Sequence, residues 1–247
     1  MNKLLSALVL GLCATAAQAG PSINIGTVYD YMDGDKSTYL KRVFNGGDST
    51  AFVRVNIYEM TFDAAGKATE TPLTNQGSDA AQRKGLVASP ARLIVPAKGM
   101  QATRLLYIGE RDRERYYRVR FVPVVPEKAD QFSVSDEERE TYKESMSAGV
   151  NIMTGYGAIF FVRPKNTHFD TKIQDGPTEY RVDNKGNSTI VLDEFKDCSA
   201  KKESDCQATK KHHVRPGKSF SFTKESARVY RFNLVEGKTA NKIEVLK

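Results

Sequence analysis

Three histidines, His168, His212 and His213, and two cysteines, Cys198 and Cys206, are the side chains in this chain most suited to chemistry. With the many serines and acids they could assemble a Ser-His-Asp site in space, or the cysteines and the paired histidines could be written as metal ligands. Their spacing supports neither. "DCSAKKESDC" is Lys-rich and matches no zinc pattern. The chain contains no G-x-S-x-G elbow, phosphate-binding glycine loop, H-E-x-x-H pair or dinucleotide turn. It is therefore read as a non-enzyme without metal or cofactor.

The N-terminus, "MNKLLSALVLGLCATAAQAG", has one lysine, an apolar core and Ala17-Gln18-Ala19, which fits a secretory signal over residues 1–19 cleaved before Gly20. Cys13 follows Leu12, whereas lipoprotein processing resembles a small residue there, so no lipid is expected on it. Cleavage leaves 228 residues (247 minus 19), enough for two domains of about 100 residues. Cys198 and Cys206 are then the remaining cysteines, and in an oxidising compartment they read as a disulfide. Closing that loop stabilises the fold by roughly 2 to 3 kcal/mol. The net charge falls from +7 to +6 with the loss of Lys3. A basic balance could suit nucleic acid or an anionic membrane, but the cationic residues are scattered among 30 acidic ones and not clustered, which reads as a solvated basic surface.

The elements that would position any site are strands. Helical periodicity is nearly absent, whereas short alternating runs between turn signals recur. "TAFVRVNIYEM" (50–60) alternates like a half-buried strand. "GLVASPARLIVPAKGMQATRLLYIG" (85–109) reads as two strands about a turn at Pro96–Gly99. "RYYRVRFVPVVP" (115–126) puts Tyr117, Val119 and Phe121 on one face, and its prolines end the strand. After Arg163-Pro164 the pattern restarts with "TEYRVDNKGNSTIVLDEF", "HHVRPGKSFSFT", "ARVYRFNLVEG" and "KIEVLK". Two groups of strands imply an all-β chain of two sandwiches, with the boundary near 164–168.

One ribbon stands apart. Ala148 to Val162 carries no charge and follows the polar stretch 127–147, which reads as disordered. Its even positions, among them Val150, Ile152, Tyr156, Phe160 and Val162, form an apolar face, while Gly149, Asn151, Gly155 and Gly157 leave the other face small or polar. A bulge at Gly155 or Gly157 would make this an ordinary interior strand. An exposed apolar edge is otherwise an aggregation hazard, unless another chain uses it.

"SPARLIVPAKGMQATRLLYIG", then "RYYRVRFVPVVP", a long variable loop, a strand ending in "IFFVRP" and a second β domain together resemble the periplasmic chaperones of chaperone–usher pilus assembly. The similarity spans nearly the whole mature chain. "RYYRV" and the Cys198–Cys206 loop resemble the divergent branch serving class 5 and common-pilus-type fimbriae. The resemblance implies two immunoglobulin-like sandwiches in an L, residues 20–164 and 165–247, without catalysis. It also implies a periplasmic location. The partners would be fimbrial subunits, a pilin or a tip adhesin, and the outer-membrane usher that receives them.

In this family a chaperone strand completes the unfinished sandwich of a subunit. Val150 and Ile152, with Thr154 weaker, are the side chains assigned to the subunit's groove. The better-known branch grips the subunit's terminal carboxylate with a basic pair, and those positions align with Tyr29 and Ile159, which carry no charge. Arg118, in the adjacent strand, is the candidate anchor in their place, because its planar fork suits a carboxylate. Arg163 matches a family position that orients the domains through ion pairs, with Asp112 or Glu114 as partner. Arg104 is a second interdomain candidate. A homodimer capping the free edge is a further implied state. The competing readings are a secreted β-sandwich adhesin or pilus component, against which the absence of Trp and of an aromatic platform weighs, and a small secreted hydrolase.

Overall fold

The computed structural model describes residues 20–73, 84–147, 151–202 and 204–247, so the proposed signal at 1–19 and Val150 lie outside the described residues. Strands β1 (Ile23–Asn24), β2 (Tyr29–Met32), β3 (Thr38–Asn45), β4 (Ala51–Phe62), β5 (Ala68–Pro72), β6 (Gly85–Ser89), β7 (Arg92–Val95), β8 (Met100–Ile108), β9 (Arg115–Val124) and β10 (Tyr156–Val162) form two sheets. One has the order β1-β3-β8-β6; the other runs β2-β10-β9-β4-β5, with β7 also on β4. Alternation decides which side chains meet between them. Val53, Phe121 and Phe160 from one sheet and Val43 and Leu105 from the other are almost wholly buried in one core.

The expected single strand over 85–95 is two. Its halves, β6 and β7, are joined through Ser89-Pro90 and lie in opposite sheets, β6 against β8 and β7 against β4. Proline has no N–H for a ladder, so the chain changes sheet there.

The second group comprises β11 (Thr171–Asp175), β12 (Glu179–Asn184), β13 (Ile190–Ser199), β14 (Lys210–Val214), β15 (Ser219–Thr223), β16 (Arg228–Glu236) and β17 (Thr239–Leu246). Sheets β11-β12-β15 and β14-β13-β16-β17 enclose Val182, Ile190, Leu192 and Phe232. Cys198, at the end of β13, is disulfide-bonded to Cys206.

The two halves share a turn. "NGGDST" (45–50) and "NKGNST" (184–189) both read N-x-G-x-S-T. Asn45 Nδ2 donates to the carbonyls of Ser49 and Val95, and Asn184 Nδ2 to those of Ser188 and Val214. Their Oδ1 atoms accept the N–H groups of Gly47 and Gly186. Both glycines are sterically required. A Cβ on Gly47 would lie 2.2 Å from the Gly20 carbonyl oxygen, and one on Gly186 2.7 Å from that of His168.

The stretch expected to be disordered is ordered. A 3-10 turn at Lys128–Asp130 leads to an α-helix, α1 (Asp136–Ser147). Ser135 Oγ accepts the Glu138 N–H and the Glu138 carboxylate accepts the Ser135 N–H, a capping box, while Asp136, Glu137 and Glu138 crowd the positive end of the helix dipole. Tyr142 stacks edge-on against Phe52 at 4.8 Å and donates to the Thr50 carbonyl at 2.8 Å. Phe132 takes another edge of Phe52. Burial pushes the Tyr142 phenol up to about 12.

Candidate functional site

Strand β10 lies between two neighbours of different reach. Against β9 it is antiparallel over its whole length, from Tyr156↔Phe121 to Val162↔Arg115. Against β2 it is parallel only from Ile159↔Tyr29 to Val162↔Met32. The backbone of Tyr156 to Ala158 therefore has a strand partner on one side alone. Upstream, Asn151 to Gly155 belong to no strand, so among the described residues of the ribbon expected over 148–162 only Tyr156 to Val162 are strand, and Ala148 to Val150 lie outside the described residues. Gly155 and Gly157 pass close to β9: a Cβ would sit 3.1 Å from the Phe121 carbonyl oxygen in one case and 3.2 Å from Arg118 Cδ in the other.

Ala158, Phe160 and Val162 face the first core. Ile152 and Thr154 are in phase with them along the chain and both are exposed, Ile152 at 82%. Asn151 Nδ2 donates to the Met146 carbonyl at the end of α1, which ties the head of the segment to the helix.

The opposite face of this sheet turns toward the second half of the chain. Tyr29, Ile159, Arg118 and Tyr58 stand in one row across four strands. The two positions aligned with the family's basic pair are thus direct neighbours, and Arg118 is next in line. It is already engaged: Arg118 Nε donates to Glu70 Oε1 at 3.1 Å, and Arg120 Nη2 donates to the other oxygen at 2.6 Å. Arg120 also lies over the Tyr58 ring.

Interdomain contacts cluster one row further on. Arg163 Nη1 donates to Asp33 Oδ1 at 2.7 Å, and its guanidinium lies over Tyr31 and Phe169. Neither Asp112 nor Glu114 is its partner. The parallel pairing of β10 with β2 brings Arg163 to the end of β2, where its N–H donates to the Met32 carbonyl. Asp112 pairs with Arg115 instead. Glu114 is buried and accepts from the Ser188 hydroxyl and from the N–H and hydroxyl of Thr189, all in the repeated turn of the second half. Arg104 is corrected in place: it is exposed on the outer face of the other sheet, across from Leu40 and Ser89, away from this junction.

His213 closes the junction. Its ring packs 4.2 Å from Tyr29 and stacks on Phe161 at 5.4 Å. Burial, reinforced by Lys211, lowers its pKa to about 4. Burial likewise raises the Tyr31 and Tyr116 phenols, with Glu114 adding to both. Arg215 covers Phe62 at 3.5 Å, and Lys218 reaches the Ala64 carbonyl. The sequence reading missed Asp33, Thr189 and His213 as junction residues. Only Thr189 carried a signal, the repeated N-x-G-x-S-T.

The junction and the open edge arrange for contact and not for turnover. Asp33 holds Arg163 Nη1, the hydroxyls of Ser188 and Thr189 and the Thr189 N–H hold Glu114, and the two sulfurs are bonded together.

No protein-family model matches the chain. It is 25% identical over 220 residues to a protein named "Probable fimbrial chaperone EcpB" of Escherichia coli O157:H7, covering 88% of each chain. Its fold matches that of the class 5 fimbriae chaperone CfaA with a TM-score of 0.55 at 17% identity, over 92% of this chain and all of that one. It also matches a chain in the complex of the Salmonella enterica SafA pilin with the SafB chaperone, with a TM-score of 0.53 at 12% identity, over 93% of this chain and 97% of that one.

Proposed function

We infer that the chain is a pilus-assembly chaperone of the chaperone–usher type, working in the periplasm after removal of residues 1–19. It binds fimbrial subunits by lending them a strand and passes them to an outer-membrane usher. The two sandwiches are assigned to residues 20–164 and 165–247.

The observation that carries this reading is the mismatch of β10 with its neighbours. The strand's apolar face is core where β2 covers its edge, and along the sequence the same phase runs on to Thr154 and the exposed Ile152, upstream of the strand and past the end of that cover. A subunit lacking a strand supplies both missing surfaces: backbone groups to pair the open edge and a groove for the alternate side chains. Val150, Ile152 and Thr154 are the donated side chains. Burying Ile152 contributes about 1.5 to 3 kcal/mol. Segment 151–155 becomes strand when the subunit arrives. Arg118 anchors the subunit's terminal carboxylate by exchanging it for Glu70.

The test is mass spectrometry of what co-purifies from the native periplasm with the tagged protein, beside an Ile152→Asp variant shown to be folded. A small β-rich subunit recovered in stoichiometric amount with the parent and lost with the variant supports the reading. Retention by the folded variant sinks it and leaves the adhesin reading in front.

A further inference from the structure

The outer face of the sheet β1-β3-β8-β6 is turned away from the junction, and no strand or helix described covers it. In rows across it stand Phe44 with Met100, Arg42 with Ala102, Leu40 with Arg104, and Leu106 with Val87. Leu40, Phe44 and Met100 are 48%, 46% and 46% exposed, unusually open for large apolar side chains on a sheet. The four strands read "IN", "TYLKRVFN", "MQATRLLYI" and "GLVAS" and contain no Asp or Glu. Arg42 and Arg104 make no ion pair among the described residues. At the rim, Asp35 and Asp48 are each matched by a lysine, Lys36 and Lys98; Glu110 follows the end of β8. The face is apolar and cationic without internal compensation.

We propose that this face is a docking surface for an anionic phospholipid bilayer. A second copy of the chain is the wrong occupant, because a symmetric pairing of these faces brings the arginines of both copies into one interface with no acid on either side to neutralise them. A protein partner usually seats an anchor residue in a pocket. The cleft that opens beside the face, about 730 Å³, touches it only at its end, at Gly85 and Ile108. A lipid surface needs no pocket. It takes apolar side chains to the depth of the headgroups while arginines reach the phosphates with their stems lying along apolar surface. The occupied face lies on the sheet opposite β10, so a chain on the membrane keeps its open edge and its junction free.

The experiment is flotation of the purified protein with vesicles of phosphatidylethanolamine and phosphatidylglycerol, and with vesicles of phosphatidylcholine alone. The protein is expected to float with the anionic vesicles, to stay behind with the neutral ones, and to be released by added salt. Arg42→Glu combined with Arg104→Glu should weaken anionic-vesicle binding roughly tenfold or more, and Leu40→Ser combined with Phe44→Ser should weaken it without abolishing its salt dependence. Circular dichroism confirms that each variant is folded. If the unaltered protein fails to float with anionic vesicles, or floats equally with neutral ones, the proposal is overturned. Equal flotation of the folded charge-reversal variant overturns it as well. An acidic protein that binds the parent but not the charge-reversal variant, in the absence of vesicle binding, would assign the face to a protein instead.

Discussion

Glu114 and Thr189 are bonded across the two halves of the molecule, the Thr189 N–H donating to both carboxylate oxygens at 3.0 and 2.9 Å and its hydroxyl to one of them. A single buried carboxylate just ahead of β9 thereby holds the turn between β12 and β13 of the second sandwich. Glu114→Ala leaves an N–H and two hydroxyls without that acceptor, and should cost about 2 to 3 kcal/mol in urea unfolding. Small-angle scattering should show a broader range of particle sizes. An unfolding free energy within about 0.5 kcal/mol of the parent would remove Glu114 as the lock.

At the open edge the expectation is the reverse: binding changes and stability does not. Ile152 is 82% exposed, so Ile152→Asp should leave the unfolding free energy within about 0.5 kcal/mol of the parent. Competition between parent and variant for a co-expressed subunit should favour the parent roughly tenfold to hundredfold, from the lost burial of one large apolar side chain. Equal partition of the subunit would take Ile152 out of the interface.

Glu70 holds Arg118 and Arg120 together in the free protein. If Arg118 takes the subunit's carboxylate, Glu70 competes with it, and Glu70→Gln should tighten subunit binding about fivefold, while Arg118→Ala loosens it by a similar factor. Surface plasmon resonance with a peptide matching the subunit's C-terminus, as free acid and as amide, reads this directly. Weaker binding by Glu70→Gln would make the cluster structural.

His213 gives the junction a dependence on pH. Its folded pKa, about 4, lies below its ordinary value of 6.5, so the unfolded chain takes up the proton first as pH falls. Stability is unaffected above about pH 6.5 and declines from there toward about pH 4, by about 1 to 2 kcal/mol once partial solvent screening is allowed for. His213→Phe should remove this part of the acid sensitivity. Melting temperatures of both proteins between pH 7 and pH 4.5 test it, and parallel curves would contradict it.

Several of these residues could be read before any fold was known. Period-two alternation placed Tyr117, Val119 and Phe121 on the buried face of β9, because pleating sends successive side chains to opposite sides whatever the tertiary context. The apolar phase through Ile152 and Phe160 was legible for the same reason. The pairing of Cys198 with Cys206 followed from their number and their expected compartment.

Other features needed the folded chain. Helix α1 has only Tyr142 and Met146 as large apolar residues among charged ones, so no apolar stripe announced it; its capping box and its docking on Phe52 stabilise it instead. Arg163 meets Asp33 across 130 positions of sequence, and Glu114 meets Thr189 across 75, distances at which local pattern carries no information about partners. The sequence alone determined which faces are apolar, where turns interrupt them and which ribbon has an apolar face left over, since those depend on neighbours one or two residues away. Tertiary structure decided which charges meet, how far β2 covers β10 and which sheet face remains open, since those depend on strands brought together from remote parts of the chain.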